Sequence, residues 1–366
     1  MIEKSKHRIY YKNADNLSAI EDNSVSLVVT SPPYPMIEMW DESFSTQNSD
    51  IAKALDKGKP EQAFELMHKI LDEVWKECSR VLCEGGVACI NIGDATRTID
   101  KKFQLFSNHA RIISSFVELG FSNLPNIIWR KQTNAPNKFM GSGMYPPGAY
   151  VTLEHEFILV FRNGNKREFS KEEKQNRRES SYFWEERNNW FSDLWELKGT
   201  TQVLSKNEAR DRSGAYPFEI PYRLINMFSV KGDTILDPFI GTGTTSLAAV
   251  ASGRNSVGYE LESEFSSTIE QTLLSGSNLQ LINNTIRKRI LNHKEFVSQR
   301  IEEKGMESVK HHNEWFDFPV MTRQEKDLTL QFVENIQKVD NDIFTSSYIQ
   351  EALMDYQGAQ SLFSQV

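Results

Sequence analysis

The chain has 366 residues, of which 39% are hydrophobic and 25% charged, and its formal net charge is −8. This balance excludes wholesale disorder, and the length allows one large domain or two ordinary ones. The sequence has no run of 18 apolar residues and no signal-peptide pattern at its start, so we expect a cytoplasmic protein with no membrane partner. Cys78, Cys83 and Cys89 lack CxxC spacing, so we expect reduced thiols and no metal site.

The charge is unevenly distributed along the chain. Residues 100–223 contain 19 Lys and Arg against 15 Asp and Glu, whereas residues 260–366 contain 10 against 17. A protein that binds a polyanion needs only one positive face, so the middle of the chain is a candidate for nucleic-acid binding. The alternative is a solvated loop or helix, because acidic residues are interleaved with the basic ones at 166–179.

The hydrophobic pattern predicts alternating strands and helices between residues 9 and 261. Buried strands are predicted at 25–29, 87–92, 127–129, 156–161, 234–236 and 255–259, and helices at 61–82, 106–119, 222–228 and 246–251. This alternation favours an α/β fold with a largely parallel sheet. Residues 134–150 read as a long loop rich in Gly and Pro, and residues 263–366 as a mostly helical, acidic extension.

A glycine-rich segment lies between a predicted strand and a predicted helix. It reads Asp-Pro-Phe-Ile-Gly-Thr-Gly-Thr-Thr over residues 237–245. Glycines in such a turn let the backbone approach a ligand, and the carboxyl end of a strand is where doubly wound sheets bind cofactors. Ser246 stands where a dinucleotide fingerprint needs its third glycine, so a nucleoside without pyrophosphate fits better than NAD. Glu260 ends the next strand, at the spacing from which a carboxylate accepts hydrogen bonds from ribose hydroxyls.

A second segment, Ser31-Pro32-Pro33-Tyr34, ends the first buried strand. Consecutive prolines fix the backbone, donate no N–H and leave carbonyl groups unpaired. The Ser31 oxygen and the Pro32 carbonyl can therefore accept the two protons of an amino group on a planar base, while Tyr34 stacks on its ring. Taken alone, this segment is more typical of a strand that ends at prolines beside a packed tyrosine.

Together the two segments resemble the amino-methylating DNA methyltransferases, which carry an (S/D/N)PP(Y/F) catalytic loop and a DPFxGxGTT cofactor loop. The catalytic loop comes first here, which is the order of the β group of that family. The resemblance covers roughly residues 8–262. Further segments that match the family's pattern are Ala14-Asp15-Asn16, Gly85-Gly86 with the strand to Asp94, Trp129-x-Lys131, the segment 154–161 and Tyr216-Pro217-Phe218-Glu219-Ile220-Pro221.

The resemblance implies S-adenosyl-L-methionine as the cofactor and a doubly wound, mostly parallel sheet of the methyltransferase type. Asp15 would bind the adenine and Glu260 the ribose hydroxyls. The other residues that it implies at the cofactor are Phe218, Asp237, Pro238, Phe239, Gly241, Gly243 and Thr244.

The resemblance also implies the reaction. Hydrogen bonds to Ser31 and the Pro32 carbonyl would localise the lone pair of an exocyclic amine, which would attack the sulfonium methyl group in line. A target base in double-stranded DNA must first be flipped out, and Tyr34 would stack on it. Serine in the first position of the catalytic loop is associated in this family with N4 of cytosine, which we expect here. N6 of adenine remains open as the closest alternative.

The domain organisation follows from the same resemblance. We expect the catalytic part at 1–162, an inserted target-recognition region at 163–208, the cofactor-binding part at 209–262 and a C-terminal helical extension at 263–366. Lys131, Lys174, Arg177 and Arg178 are candidate DNA contacts. A homodimer and a cognate restriction endonuclease that acts on the same site are further expected partners, in a prokaryotic cytoplasm.

Two rival interpretations remain beside the adenine enzyme, and one further class is excluded. A non-catalytic DNA-binding subunit is disfavoured because both loops are intact, and an NAD-dependent oxidoreductase because the third glycine is missing. Ring-carbon cytosine methylation would need a nucleophilic cysteine after a proline, and no cysteine of the chain follows one.

Overall fold

The computed structural model of the chain describes residues 2–132, 140–198 and 216–349. Within these ranges the strands are β1 (Lys4–Tyr11), β2 (Val25–Thr30), β3 (Leu82–Ile92), β4 (Ala95–Ile99), β5 (Lys102–Phe106), β6 (Ser122–Asn123), β7 (Ile127–Gln132), β8 (Met140–Gly141), β9 (Ala149–Tyr150), β10 (His155–Arg162), β11 (Leu194–Lys198), β12 (Thr234–Asp237), β13 (Asn255–Glu260), β14 (His311–Asn313), β15 (Phe318–Val320), β16 (Phe332–Asp340) and β17 (Ile343–Ile349).

The α-helices of the described residues pack around these strands. They are α1 (Asp41–Gln47), α2 (Ser49–Asp56), α3 (Pro60–Val81), α4 (Asn108–Glu118), α5 (Glu173–Glu179), α6 (Trp184–Trp190), α7 (Glu219–Phe228), α8 (Thr244–Ala251), α9 (Ser266–Leu274) and α10 (Gly276–Lys304). Among the described residues, no helix combines the length and the apolar character that a membrane span requires.

One large sheet organises the molecule. Its strands follow the order β11-β7-β10-β3-β2-β12-β13-β1-β17-β16, and β6 pairs with β10 beside this path. The central strands β3, β2, β12, β13 and β1 run parallel. We call the side on which these central strands end the carboxyl edge, and the side on which they begin the amino edge. The predicted α/β fold with a largely parallel sheet is confirmed.

The two faces of the sheet are covered by different helices. Leu27 and Val29 of β2 pack into a core with α7, α8, α9 and α10, whereas Val28 packs with α3 and α4 on the opposite face. Both faces of β2 are therefore buried, which explains its continuous β-branched sequence. All six strands predicted from the sequence are present, with bounds that differ by up to five residues. Helix α4 begins at Asn108 rather than at Phe106, because 102–106 pair with β4 as strand β5.

The predicted helical extension is wrong in its second half. Helices α9 and α10 lie where helices were expected, but β14 to β17 follow them, and 350–366 lie outside the described residues. Strand β17 pairs antiparallel with β1, which places Phe344 opposite His7. This pairing depends on a partner more than 330 residues away in sequence, and the polar composition of β16 and β17 hides it from a local pattern.

The predicted target-recognition region, 163–208, also contributes to the sheet. Its strand β11 pairs parallel with β7, so it ends at the carboxyl edge, whereas α5 and α6 precede it. Residues 199–208 of this predicted region, and 209–215 of the predicted cofactor-binding part, lie outside the described residues. The four-part division remains a prediction.

Candidate active site

The two loops singled out in the sequence line one cavity at the carboxyl edge, with a volume of about 620 Å³. Strands β2 and β12 are neighbours in the sheet, so the loop that follows each of them opens at the same place. The residues from the two loops that line the cavity are Ser31, Pro32, Pro33, Tyr34, Asp237, Pro238, Phe239, Ile240, Gly241, Thr242, Thr244 and Thr245. A cavity of this size is typical of a site for a small organic ligand.

A buried hydrogen bond joins the two loops. Thr30, the last residue of β2, donates its hydroxyl to Asp237 Oδ1 at 2.6 Å, and Phe239 N donates to the same oxygen at 3.0 Å. The other carboxylate oxygen accepts from Thr245 at 2.5 Å and lies 3.5 Å from the Tyr216 hydroxyl. Burial raises the pKa of Asp237 to about 6, although these donors favour the ionised form. Asp237 therefore fixes the shape of both loops.

The hydroxyl of Ser31 belongs to a polar network at the catalytic loop. Tyr34 donates its hydroxyl hydrogen to Glu156 Oε2 at 2.9 Å, and Asn91 Nδ2 donates to the same carboxylate oxygen and to the tyrosine oxygen, each at 2.8 Å. Ser31 Oγ lies 3.2 Å from the tyrosine oxygen. Because the only hydroxyl hydrogen of Tyr34 is directed at Glu156, Ser31 donates to Tyr34. Its oxygen accepts a long hydrogen bond from Asn91 Nδ2 at 3.4 Å and keeps its second lone pair for another donor. Burial, and then the charge of Glu156, raises the pKa of Tyr34 well above its ordinary value, so the phenol stays protonated.

Glu260 organises the glycine loop from the end of β13. Its carboxylate oxygens accept from Gly241 N and Glu262 N, each at 3.0 Å. Burial raises the pKa of Glu260 to about 7, so the carboxyl group is mostly ionised only above neutral pH. Gly241 has φ +51°, and the closest atom to an added Cβ would be 4.0 Å away. The glycine is therefore required by the backbone conformation and leaves space open on the cavity side.

Three residues predicted at the cofactor lie outside the cavity lining. Asp15 is exposed and accepts a hydrogen bond from Asn13 at 3.0 Å, while Asn13 and Ala14 line the cavity instead. Phe218 stacks on Tyr222 with ring centroids 5.3 Å apart. Gly243 is the N-cap residue immediately before α8 and has φ +86°, so it contributes to the loop through its backbone conformation.

The four candidate DNA contacts lie on opposite edges of the sheet. Lys131 lines the cavity and forms an ion pair with Glu156. Lys174, Arg177 and Arg178 are exposed on α5, which is attached to the amino edge because Asn176 donates to the Lys231 carbonyl at 2.8 Å, just before β12. The structure does not bring these three together with the cavity, and their role in DNA binding remains a prediction.

Sequence reasoning missed Asn91, Glu156 and Tyr216 as individual site residues. Each lies inside a segment that had been matched to the family, but nothing local marks its side chain. Asn91 pairs opposite Ile158 in the β3–β10 ladder, which brings β3 and Glu156 together beside Tyr34. Asn91 is 2% exposed, and its Oδ1 has no partner among the described residues. Strand pairing, and not a motif, assembles this part of the site.

The residues that line the cavity have the chemical character that S-adenosylmethionine requires. Ile240, Leu261 and Phe265 offer apolar surface to a purine, and Glu260 offers acceptor oxygens to a ribose diol. The open side of Gly241 allows a ligand to approach the backbone. An α/β sheet with this cavity at its carboxyl edge is the arrangement of S-adenosylmethionine-dependent methyltransferases.

Comparison with known proteins identifies the family. Residues 25–271 match the N6_N4_Mtase family, described as DNA methylase. The chain belongs to this family, whose members use S-adenosylmethionine to methylate amino groups of DNA.

Two archaeal proteins are similar over most of their length. The chain is 50% identical over 348 residues to the Type II methyltransferase M.MthZI of Methanothermobacter thermautotrophicus. The aligned region covers 94% of this chain and 96% of that protein. It is 51% identical over 280 residues to the Type II methyltransferase M.MjaI of Methanocaldococcus jannaschii, with coverage of 74% and 91%.

Solved structures agree on the fold. The complex of the putative DNA modification methylase TTHA0409 from Thermus thermophilus with S-adenosyl-L-methionine is 31% identical with a TM-score of 0.55, and covers 72% of this chain and 93% of that one. The cytosine-N4-specific PvuII DNA methyltransferase has a TM-score of 0.50 at 16% identity, over 76% and 92% of the two chains. At that identity the second likeness concerns the fold alone.

Proposed function

We propose that the chain is the modification enzyme of a Type II restriction–modification system and methylates N4 of a flipped cytosine in double-stranded DNA. The observation that carries the proposal is the single cavity lined by both loops and held together by the Thr30–Asp237 hydrogen bond. The names of the two archaeal relatives support the assignment to Type II.

The catalytic loop would prepare the amine for attack. Ser31 Oγ has its hydrogen committed to Tyr34, so it would accept one amine proton, and the Pro32 carbonyl would accept the other. These two acceptors would localise the nitrogen lone pair, which the ring otherwise delocalises. S-adenosylmethionine supplies the electrophilic methyl group on its sulfonium. Holding the two reactants close and aligned can supply several kcal/mol of the lowered barrier.

Glu260 and the glycine-rich loop, which line one side of the cavity, would hold S-adenosylmethionine. An ionised Glu260 would accept from the ribose hydroxyls while it keeps its bonds to Gly241 N and Glu262 N, because each carboxylate oxygen has two lone pairs. Asn13 and Ala14, which line the cavity, are better placed than the exposed Asp15 to contact the adenine.

The choice of base rests on Ser31 and its association with N4-cytosine enzymes of the family. The hydrogen-bond network leaves Ser31 as an acceptor, and an acceptor suits the N6 amine of adenine as well. Adenine therefore remains the second candidate. A cognate endonuclease and a homodimer are part of the proposal as expectations from the family and from the Type II relatives.

Transfer of a labelled methyl group, followed by digestion to nucleosides and mass spectrometry, tests the proposal. We expect N4-methylcytosine with the wild-type protein, and at least about a hundredfold less in the same time with Ser31→Ala. Ser114→Ala, an exposed serine on α4, is the matched control and should behave as wild type. N6-methyladenine would correct the base, whereas DNA binding without any methylated nucleoside would favour a non-catalytic binding subunit.

A further inference from the structure

Residues 140–153 form an exposed hairpin, which we call the apolar hairpin. Its strands β8 and β9 pair at Gly141 and Ala149, and the turn between them carries Met144 and Tyr145. The exposed fractions are 85% for Met144, 78% for Tyr145 and 85% for Val151. The fourteen positions contain no charged residue, in a chain with a charge every fourth residue on average. A contiguous exposed apolar surface of this kind marks an interaction site.

The apolar hairpin projects from the edge that contains the cavity. Strand β10 runs antiparallel to β3, so its first residue, His155, lies at the carboxyl edge. The hairpin leads directly into β10, and Tyr150 is only six residues from Glu156, at most about 22 Å along an extended chain. Tyr150 also stacks on Phe103 of β5 with ring centroids 4.2 Å apart, which attaches the hairpin to a second element of this edge.

The turn of the hairpin is held in one conformation by its own hydrogen bonds. Ser142 N donates to the Gly148 carbonyl at 2.9 Å, and the Ser142 hydroxyl donates to the Tyr145 carbonyl. Gly141 and Gly143 have φ values of +69° and +65°, which side chains with a Cβ rarely adopt. Met144 and Tyr145 are therefore presented on a tip whose backbone is already ordered, so binding costs little backbone entropy.

The position of the tip favours one partner chemistry. Lys131 and Glu156, which line the cavity, lie on the strands that precede and follow the hairpin, and on the proposed function the cavity receives a nucleobase drawn out of a duplex. Extrusion leaves a gap in the base stack, and apolar side chains are the groups that enter base steps in bent or opened DNA. A tip without acidic residues can approach the phosphates on either side of the gap without repulsion.

We propose that Met144 and Tyr145 enter the DNA duplex as a wedge and occupy the space that the flipped base leaves. The methionine fills the irregular gap, and the tyrosine ring stacks on a neighbouring base. This inference rests on the proposed function, since it assigns the hairpin to the opening of the same substrate. It identifies a contact surface for DNA at the carboxyl edge, separate from the basic helix α5.

The double variant Met144→Ala/Tyr145→Ala tests the wedge with two substrates. One duplex carries the unmethylated recognition site with the target base in its normal pair. The other carries the target base in a mismatch, from which a base is easier to extrude. We expect methyl transfer to fall about tenfold or more on the paired duplex, which corresponds to about 1.4 kcal/mol of opening energy, and by less than about threefold on the mismatch. Affinity for S-adenosylmethionine should not change.

Two further variants serve as controls. Tyr145→Phe keeps the ring and should retain most of the activity, while Val117→Ala removes an exposed apolar side chain at the C-terminal end of α4, and should have no effect. Equal losses on both substrates, or no loss on the paired duplex, would overturn the wedge.

A binding experiment separates failure of the wedge from failure of the proposed function. If the wild-type protein methylates no DNA, the proposed function fails, and binding to a mixed-sequence duplex with one abasic site is compared with binding to the intact duplex. A preference for the abasic duplex that the double variant loses would still support the wedge. The absence of such a preference in the wild-type protein would end it.

Discussion

The carboxyl edge and the amino edge of the main sheet use polar side chains in different ways. At the carboxyl edge, Ser31 keeps one free lone pair and Asn91 Oδ1 has no partner among the described residues. At the amino edge, the buried ammonium of Lys231 donates to the Glu179 carbonyl and to both oxygens of Thr329. The buried guanidinium of Arg254 likewise donates to backbone oxygens.

This difference indicates where the chemistry lies. Polar groups at the amino edge are satisfied within the protein and connect α5 and the C-terminal extension to the core, so their role is structural. Arg289 has a similar structural role. It donates to both carboxylate oxygens of Glu186, at 2.5 and 2.8 Å, and so connects α10 to α6. Polar groups at the carboxyl edge retain unused hydrogen-bonding capacity, which a substrate can take up.

The largest expected effect of a single substitution is that of Ser31→Ala. Loss of this hydrogen-bond acceptor for the amine should lower kcat by roughly 10²- to 10³-fold, the cost of removing one oriented hydrogen bond in a transition state, with little change in S-adenosylmethionine affinity. Steady-state methyl transfer to unmethylated DNA measures it. Activity within threefold of wild type would show that the hydroxyl takes no part in the reaction.

The second prediction concerns the charge on Glu260 in the ligand-free protein. Its pKa is raised from an ordinary value of 4.5 to about 7, so ionisation costs folding stability: the cost is absent below pH 4.5 and complete above about pH 7. Glu260→Gln cannot ionise. We therefore expect the stability of this variant relative to wild type to rise by up to about 3 kcal/mol between pH 4.5 and pH 8.

Denaturant unfolding at several pH values measures this difference. Glu264→Gln, an exposed neighbour outside the cavity lining, is the control for the substitution itself. A stability difference for Glu260→Gln that does not change with pH would mean that burial of the Glu260 carboxylate costs no stability.

The third prediction concerns the orientation of the Ser31 hydroxyl. Glu156→Gln removes the ion pair with Lys131 and weakens the acceptor of the Tyr34 hydrogen, which is then free to turn toward Ser31 and occupy its lone pair. We expect kcat to fall by about tenfold, the size of one lost charged hydrogen bond, with KM for S-adenosylmethionine unchanged. Glu154→Gln, which removes a surface pair with Arg130, is the control. A change in KM alone would argue against this role.

The smallest expected effect is at the amino edge. Arg177 and Arg178 were predicted as DNA contacts, but α5 is attached on the side away from the cavity. If the carboxyl edge alone contacts DNA, Arg177→Ala/Arg178→Ala should change DNA affinity by less than about twofold at every salt concentration. A weaker affinity with a reduced salt slope would instead restore these arginines as phosphate contacts and extend the DNA surface around the sheet.

The sequence predicted the loops of the site better than their surroundings. Ser31 and Asp237 each follow a short buried strand, and the motifs are contiguous, so local pattern was sufficient. Glu156 and Asn91 meet through the β3–β10 ladder, and β17 meets β1 across almost the whole chain, so their positions depend on register. Asp15 was assigned through the resemblance of residues 14–16 to the family's acidic turn, whereas Asn13 and Ala14 line the cavity.

A structure of the protein with bound cofactor and a duplex that contains its site tests the central claim most directly. The measurement is the distance from the cofactor's methyl carbon to the nearest exocyclic amine of the extruded base. We predict about 3–3.5 Å, with that nitrogen within hydrogen-bond distance of Ser31 Oγ. A cofactor bound away from Gly241 and Glu260, or a base that remains stacked while methylation proceeds, would contradict it.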